Sequence, residues 1–505
     1  MAVTRRHFFY GALLAGAIPS GGFGSTPSLK AAGYKSPNEK LNIAAIGSGG
    51  KGHSDIAGCA PTENIVALCD VDDAKAAETY KIPEYEKTPK YKDFRKMLDK
   101  EGGTIDAVIV STPDHMHATA AMWCMERGKH VYVQKPLTRT IWEARQLAEA
   151  AVKYKVATQM GNQGYSNEGT RQCAEMIWAG EIGAVTEVHA WTDRPWWPQG
   201  LTELPGGEDP VPATLDWDLW LGIANSRPYT IGGPGYPNKY GNFYQPFNWR
   251  GFFDFGCGAL GDMACHILGA SNMALKLGSP TSVECIKKEG ASSFQFPKES
   301  VIRYDFPARG SMPPVKLFWY DSQKETPKIP GVPEGELLGD IRRARTEGEP
   351  PPGGAARGGR GGRGGRSPGG PQGQIFTWQD DVKYESGDPD GSLFVGDKGM
   401  ITTGTYGENT RLIPVEKMKD YHFPPQFLTR SPGHYRDWIR ACKGGDPSCS
   451  DFSVAAPFVE WMLLGVIALR VEGKIEYDSA KMRITNNADA NKYLKPTIRK
   501  GWSFT

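Results

Sequence analysis

At 505 residues the chain is long enough to bury a large core and to hold two or more domains. Its 59 Lys and Arg against 57 Asp and Glu leave a net charge of +2, which gives no electrostatic ground for nucleic-acid or membrane-surface binding. Nine cysteines lie scattered without a Cys-x-x-Cys pair or zinc spacing, and the odd count argues against a disulfide framework, although Cys442 and Cys449 are close enough in sequence to pair.

Near the N-terminus, Thr4-Arg5-Arg6-His7-Phe8-Phe9 is a twin-arginine pattern followed by an uncharged run from Phe8 to Ile18. That run is too short to span a bilayer and fits a signal sequence. Residues 1–35 are therefore read as signal and linker, and the destination as the periplasm or another exported location. Export of this kind carries proteins already folded. No clear Ala-x-Ala cleavage site follows that run to mark the mature start.

The apolar stretch 41–46 reads as a short buried strand running into G-x-G-x-x-G, with glycines at 47, 49 and 52 and a further glycine at 50. Such glycines allow a tight turn, close backbone approach to a pyrophosphate and close packing of helix on strand. The following helix aims its free N–H groups at the phosphates. A second apolar run, Ile65 to Cys69, ends at Asp70, about 20 residues beyond the glycines, where a dinucleotide fold places the carboxylate that binds the adenosine ribose. That carboxylate would repel a 2′-phosphate, so NAD is favoured over NADP. The alternative is that Asp70 only opens a turn before Asp72 and Asp73.

From residue 38 to 164 strand and helix patterns alternate. Strands are expected at 41–46, 65–69, 105–110, 130–133 and 156–160, with helices at 91–100, 116–127 and 140–153 among those between them. Alternation of this kind means a parallel sheet covered on both faces, with ligands beyond the carboxyl ends of its strands. Two strand ends carry chemistry: Ser111-Thr112-Pro113-Asp114-His115-Met116-His117, and Gln134-Lys135-Pro136. Lys135 is placed to reach a nicotinamide ribose or a substrate hydroxyl, or else faces solvent.

Beyond residue 164 the composition shifts towards tryptophan, proline and glycine. The clusters Trp191 to Pro198 and Phe247 to Arg250 combine aromatic faces with arginines, which suits a sugar ring; a sheet core or subunit interface is the other reading of each tryptophan. Asp262 and His266 share one helix face if residues 261–275 are helical. An imidazole can take a hydroxyl proton while hydride leaves the same carbon. The alternatives are a buried structural histidine or half of a metal site, and no second histidine pair or acidic cluster completes such a site. Residues 331–374, charged and then rich in proline, Arg and Gly, are expected to form a disordered insert. Arg-Gly-Gly repeats also occur in RNA-binding tails, but a solvated insert suits an exported enzyme better. A strand at 392–395 and helices at 434–442 and 455–472 close the chain.

Taken in order, the glycine fingerprint, the acid ending the second strand, Thr-Pro-Asp-x-x-His and Gln-Lys-Pro resemble the glucose–fructose oxidoreductase and inositol dehydrogenase family, Gfo/Idh/MocA. The resemblance continues through Gly256 to His266 and Gly391 to Gly399. It implies an α/β Rossmann domain at 38–164, then an α+β domain at 165–505 for substrate binding and oligomerisation. The second domain would hold a large open, mostly antiparallel sheet, one face over the cofactor and the other towards a partner subunit in a dimer or tetramer. It implies cofactor contacts at Gly47, Gly49, Gly50, Gly52, Asp70, Ser111, Thr112, Pro113, His117, Gln134 and Lys135. Lys135, Asp262 and His266 would be catalytic, Arg194, Trp197, Trp249 and Arg250 would meet the substrate, and no metal is implied. Gln134 departs from the family, which usually has Glu there; the loop should persist, but a charge beside Lys135 is lost.

The function so implied is NAD-dependent hydride transfer at a secondary hydroxyl of a sugar, glycoside or polyol, with His266 as base, Lys135 polarising the hydroxyl and Asp262 assisting. Two alternatives stand beside it. One is a glycoside-cleaving enzyme using transient oxidation and elimination, although the Tyr-Pro-Thr-His run common to such members is absent. The other is a sugar-binding protein on a dehydrogenase scaffold, against which the intact Lys135, Asp262 and His266 speak.

Overall fold

Six short runs of small and β-branched residues form the first sheet of the computed structural model: β1 (Asn42–Ile46), β2 (Asn64–Cys69), β3 (Lys90–Tyr91), β4 (Ala107–Val110), β5 (His130–Val133) and β6 (Thr158–Met160). The structure describes residues 38–204, 206–232, 242–290, 292–344, 376–380, 382–387 and 389–504. The twin-arginine segment and the Arg/Gly-rich run within 345–375 lie outside the described residues.

Every pairing in this sheet is parallel, in the order β3-β2-β1-β4-β5-β6. Parallel neighbours need crossovers, supplied here by α1 (Lys51–Cys59), α2 (Asp73–Tyr80), α3 (Phe94–Glu101), α4 (Asp114–Glu126) and α5 (Ile141–Tyr154). Burial on both faces explains why the strands show no polar alternation: Ala44 and Ile46 of β1 face one core, Ile43 and Ala45 the other. The strand order reverses at β1/β4, and the cleft at that switch point is where such a sheet binds its ligand.

After α6 (Glu168–Ala179), β7 (Val185–Trp191), α7 (Trp217–Leu221), α8 (Gly258–Ile267) and α9 (Gly269–Ala274), the chain lays down β8 (Ser282–Glu289), β9 (Glu299–Phe306) and β10 (Val315–Tyr320). A two-stranded ribbon follows, β11 (Ile341–Arg343) with β12 (Tyr384–Ser386), then β13 (Gly391–Gly396), β14 (Met400–Thr403) and β15 (Arg411–Ile413). The helices α10 (His434–Cys442) and α11 (Phe452–Arg470) precede β16 (Lys474–Asp478) and β17 (Arg483–Ile484). Nine of these strands make the second sheet, β15-β14-β13-β7-β10-β9-β8-β16-β17. It is antiparallel except between β7 and β10, so the expected mostly antiparallel sheet is present. In β10 the inward residues Val315, Leu317 and Trp319 are buried, while Phe318 and Tyr320 on the other face are partly exposed.

Two C-terminal elements return to the first sheet. Trp438, Ile439 and Cys442 of α10 join Ile43, Ala45 and Ile109 in one core, so α10, expected with the second domain, covers the first sheet instead. Sequence position said otherwise because only the folded chain shows which apolar surface lacks a cover. Helix α11 is long and apolar enough to cross a membrane, yet it is largely buried here, and Arg145 of α5 forks onto its Glu460 at 2.7 and 2.6 Å. All nine cysteines are free, including Cys442 and Cys449.

The insert begins later than its composition suggests. Leu338 and Ile341 are buried, and Arg411 donates to the Gly339 carbonyl at 2.7 Å, so residues 331–344 hold a fixed place. Two apolar side chains and a ribbon partner outweigh the charged neighbours there. Arg343 pairs with Tyr384, which brings the two ends of the undescribed run together. Deleting residues 350–372 and closing the gap with a short Gly/Ser linker is therefore expected to shift Tm by less than about 2 °C, since loop length acts only logarithmically. A larger loss in a thermal melt would mean that the run packs on the fold.

Candidate active site

The turn between β1 and α1 is built from backbone. Gly47 has φ +83°, and a Cβ on Gly52 would sit 1.7 Å from the Gly47 carbonyl oxygen, so neither position admits a side chain. The Gly49 N–H donates to Asp70 Oδ2 at 2.9 Å and the Asp72 N–H to Oδ1 at 3.0 Å. Around Gly50 there is open space where a Cβ would stand. At the end of β4 the Thr112 hydroxyl is buried with no partner, an orphan polar atom on the lip of the cleft. A bare backbone turn at a helix start, an acid at the end of β2 and an unsatisfied hydroxyl fit a dinucleotide.

Burial raises the Asp70 pKa, the backbone N–H groups of Asp72, Gly49 and Ser48 hold it down, and the balance lies at about 6. The carboxylate is thus charged at pH 8 and largely neutral at pH 5. We expect NAD to bind at least about tenfold more tightly than NADP at pH 8, a difference of about 1.4 kcal/mol, with the gap narrowing below pH 6. Equal affinities at pH 8 by calorimetry would remove this role from Asp70.

His117 does not face the cleft. It is buried on α4, with Nδ1 at 2.7 Å from the Pro136 carbonyl and Nε2 at 2.8 Å from that of Thr112. Burial pushes its pKa down to about 4, against the pull of the two carbonyls. It therefore ties the ends of β4 and β5 together and supports the cofactor loops from behind. Pro113 starts α4. Ser111 and Gln134 turn their side chains onto a buried carboxylate, Asp55.

Lys135 and Asp262, far apart in sequence, meet in the cleft. Lys135 Nζ donates to the Asp262 carbonyl at 2.6 Å and to its Oδ1 at 2.8 Å, and Arg250 Nε donates to the same Oδ1 at 3.1 Å. Burial alone would raise the Asp262 pKa, but Lys135, Arg250 and Arg194 outweigh it and hold the carboxyl well below the usual range. Asp262 and His266 both lie on α8, as their spacing predicts, although the expected helix 261–275 breaks at Leu268 into α8 and α9. The Asp262 carboxylate is taken by two cations rather than by the imidazole. His266 is buried, its Nδ1 has no hydrogen-bond partner, and Tyr406 sets its ring edgewise at 4.7 Å. Burial and the Lys135 charge push the His266 pKa well below its ordinary value, so the imidazole is neutral near pH 7.

The aromatic residues take a different place from the one expected. Trp197 and Trp249 are buried and stand with Phe247 around the Arg250 guanidinium, which lies 4.1 Å from the Phe247 ring and 4.3 Å from that of Trp249. Arg194 pairs with Asp193 and sits 3.3 Å from the centre of the Trp196 ring. The two tryptophans thus hold an arginine rather than offering open faces to a sugar, because an arginine already aimed at Asp262 is the nearer cation.

Asp55 and Tyr406 were not singled out from the sequence, and Asp114 entered only as part of a motif, with no role of its own. Asp114 is buried beside Lys135 and Arg250 and accepts the Cys257 N–H at 3.1 Å; burial, opposed by those cations, raises its pKa to about 7. Tyr406 comes from the turn between β14 and β15, flanked by Gly404 and Gly407, and that glycine pair was the available signal.

A glycine cradle at the switch point of a parallel sheet, opening onto a lysine, a carboxylate and a neutral histidine, defines a dinucleotide-dependent oxidoreductase. Two stretches of the chain match the Gfo/Idh/MocA oxidoreductase family. Residues 41–162 match its NAD-binding Rossmann fold and residues 179–289 its C-terminal alpha/beta domain. Over 177 residues it is 30% identical to a glycosyl hydrolase family 109 protein of Solibacter usitatus, covering 32% of this chain and 39% of that protein. Over 178 residues it is 26% identical to scyllo-inositol 2-dehydrogenase (NAD(+)) of Bacillus subtilis, covering 34% of this chain and 51% of the relative. The chain thus spans about half or less of these relatives' length. The WlbA dehydrogenase of Chromobacterium violaceum, solved with NADH and UDP-GlcNAcA, shares the fold at a TM-score of 0.54 and 15% identity, over 88% of this chain and 97% of that one.

Proposed function

We propose that the protein transfers hydride between NAD and a secondary hydroxyl or ketone of a sugar, glycoside or polyol. The observation that carries this reading is the buried, neutral His266, its Nδ1 without a partner, on the helix whose Asp262 holds Lys135. NAD, when bound, supplies the hydride acceptor. The glycine turn, Asp70 and Thr112 would hold it. Lys135 places an ammonium beside the reacting hydroxyl and lowers its pKa. His266 takes the hydroxyl proton as the carbon loses hydride. The ion pair with Asp262 fixes Lys135, and burial of the cluster keeps water from competing for it. Likeness to scyllo-inositol dehydrogenase over a third of the chain supports a polyhydroxylated substrate.

A second reading is favoured by the relative described as a glycosyl hydrolase: transient oxidation, elimination across the ring and reduction, with NAD retained. One experiment separates the two. The purified protein is offered NAD with a panel of sugars, polyols and aryl glycosides, while reduced nicotinamide and released aglycone are both followed. Net reduced nicotinamide in step with substrate supports the dehydrogenase; aglycone release without net reduction supports the glycosidase. Neither signal from any compound, with NAD bound, would favour the sugar-binding reading.

Export through the twin-arginine route to the periplasm is part of the proposal, on the strength of Arg5-Arg6 and the apolar run after them. Replacing both arginines with lysine should retain folded protein in the cytoplasm; fractionation that still finds it outside would overturn this. The partly exposed sheet face, where Phe318 and Tyr320 stack with His189, supports a dimer or tetramer formed through it, which ultracentrifugation tests.

A further inference from the structure

Asp55 stands one turn into α1 and is fully buried. Four donors from four parts of the fold converge on it. Oδ1 accepts from Lys51, one turn back on α1, and from the Tyr435 hydroxyl of α10 at 2.8 Å. Oδ2 accepts from Ser111 Oγ at the end of β4, at 2.8 Å, and from Gln134 Nε2 at the end of β5, at 2.9 Å. The lysine ammonium can only donate, and the Gln134 oxygen is turned to the Lys135 N–H at 3.4 Å. Asp55 is therefore the acceptor that the other four share. A buried network satisfied in this way fixes the relative placement of its members.

Those members bear on the cleft. Lys51 sits at the first turn of the helix behind the glycine cradle, and its charge helps to depress the pKa of both His266 and His434. Ser111 and Gln134 begin the two strand-end loops that carry Thr112 and Lys135. Ser111 and Gln134 lie on the β4–β5 side of the switch point, whereas Asp70 lies on the β2 side. In such a sheet the two halves of a dinucleotide occupy opposite sides of that point.

We propose that Asp55 is the positioning residue of the nicotinamide half of the cofactor site, a role that rests on the NAD-dependent reading above. It holds Lys51, Ser111 and Gln134 in one arrangement, and the adenosine half built on Asp70 does not depend on it. The same geometry accounts for the amide at 134. A carboxylate there would face Asp55 across 2.9 Å, and two like charges at that distance must share a proton. One acid and one amide meet this constraint in either order.

Calorimetric binding of NAD and of ADP to the full chain tests the proposal, because ADP lacks the nicotinamide and its ribose. Asp55→Asn turns an amide donor towards groups that already donate, so NAD affinity should fall by about tenfold or more, with ADP within about twofold of the parent. The exchange Asp55→Asn with Gln134→Glu restores one acid and one amide, and should return NAD affinity to within about threefold of the parent. Unchanged NAD binding in Asp55→Asn, equal weakening of NAD and ADP, or no recovery in the exchange would each overturn the role. A parent that binds ADP but not NAD would instead overturn the NAD-dependent reading. If Asp55→Asn does not fold, Tyr435→Phe removes a single donor and should weaken NAD by about threefold while sparing ADP; parent-like NAD affinity there would overturn the proposal.

Discussion

His266→Ala is expected to lower kcat by about 10²–10⁴ while leaving NAD affinity within about twofold, the pattern of a base that acts only in the chemical step. The imidazole is buried, its Nδ1 is unpaired, and Tyr406 braces the ring edge-on. Burial and the neighbouring Lys135 hold it neutral far below the usual histidine range, so kcat/KM of the parent should show no acid limb between about pH 6 and 7. The same shift has a stability sign. An imidazole whose folded pKa is depressed must take up a proton to reach the unfolded state's charge, so stability falls as pH drops below about 6.5. His115 and His434, both pushed by burial down to about 3, act in the same direction. Parent-rate turnover of the true substrate by His266→Ala across this range would make His266 a structural residue and leave Lys135 as the candidate base.

Removing the Asp262 carboxylate should strike both activity and stability. Lys135 and Asp262 have side chains only 15% and 11% exposed, and Arg250 shares the same carboxylate oxygen. Asp262→Ala strands two cations in a poorly hydrated cleft, at a cost of about 3–5 kcal/mol, the usual penalty for breaking a buried pair. Asp262→Asn keeps an amide oxygen for Lys135 to donate to and should cost less. The difference between the two measures the hydrogen bond apart from the charge. Lys135→Ala should reduce turnover and weaken NAD binding together, because the lysine ends the strand that carries the nicotinamide-side loop. Thermal melts of the three variants, with NAD titrations, check the set; an Asp262→Ala protein as stable as the parent would mean that its partners re-pair with Asp114. The carboxyl sits below its ordinary range, so the stabilisation is fully present above about pH 4 and lost only as pH falls further.

Much of this site was readable along the chain. The glycine turn, Asp70 at the end of β2, the two strand ends and the Asp262–His266 spacing are local patterns, and each stands where its pattern predicts. The residues missed are those whose meaning depends on a distant partner. Asp55 looks like an ordinary helix acid until Ser111, Gln134 and Tyr435 close around it from three other elements. Tyr406 lies 140 positions after His266 and reaches it through a turn of the second sheet. Trp197 and Trp249 were open to two readings, sugar platform or buried packing, because aromatic residues beside arginine fit both a ligand and an internal cation. The folded chain supplied the internal cation, Arg250.

The sequence by itself determined five of the six strands of the first sheet, the glycine turn after the first of them and the spacing that sets Asp262 and His266 on one helix; the two-residue strand β3 was too short to show a pattern. Backbone period, turn chemistry and helix spacing act over a few residues, and no distant contact can change which residues they align. Tertiary structure decided the charge state and employment of those residues. It gave Asp262 to Lys135 and Arg250, kept His266 neutral, sent α10 back over the first sheet and placed Asp55 beneath both strand-end loops. Those outcomes depend on burial and on opposite charges meeting across the cleft, and electrostatic energy depends on distance in space, which separation along the chain does not fix.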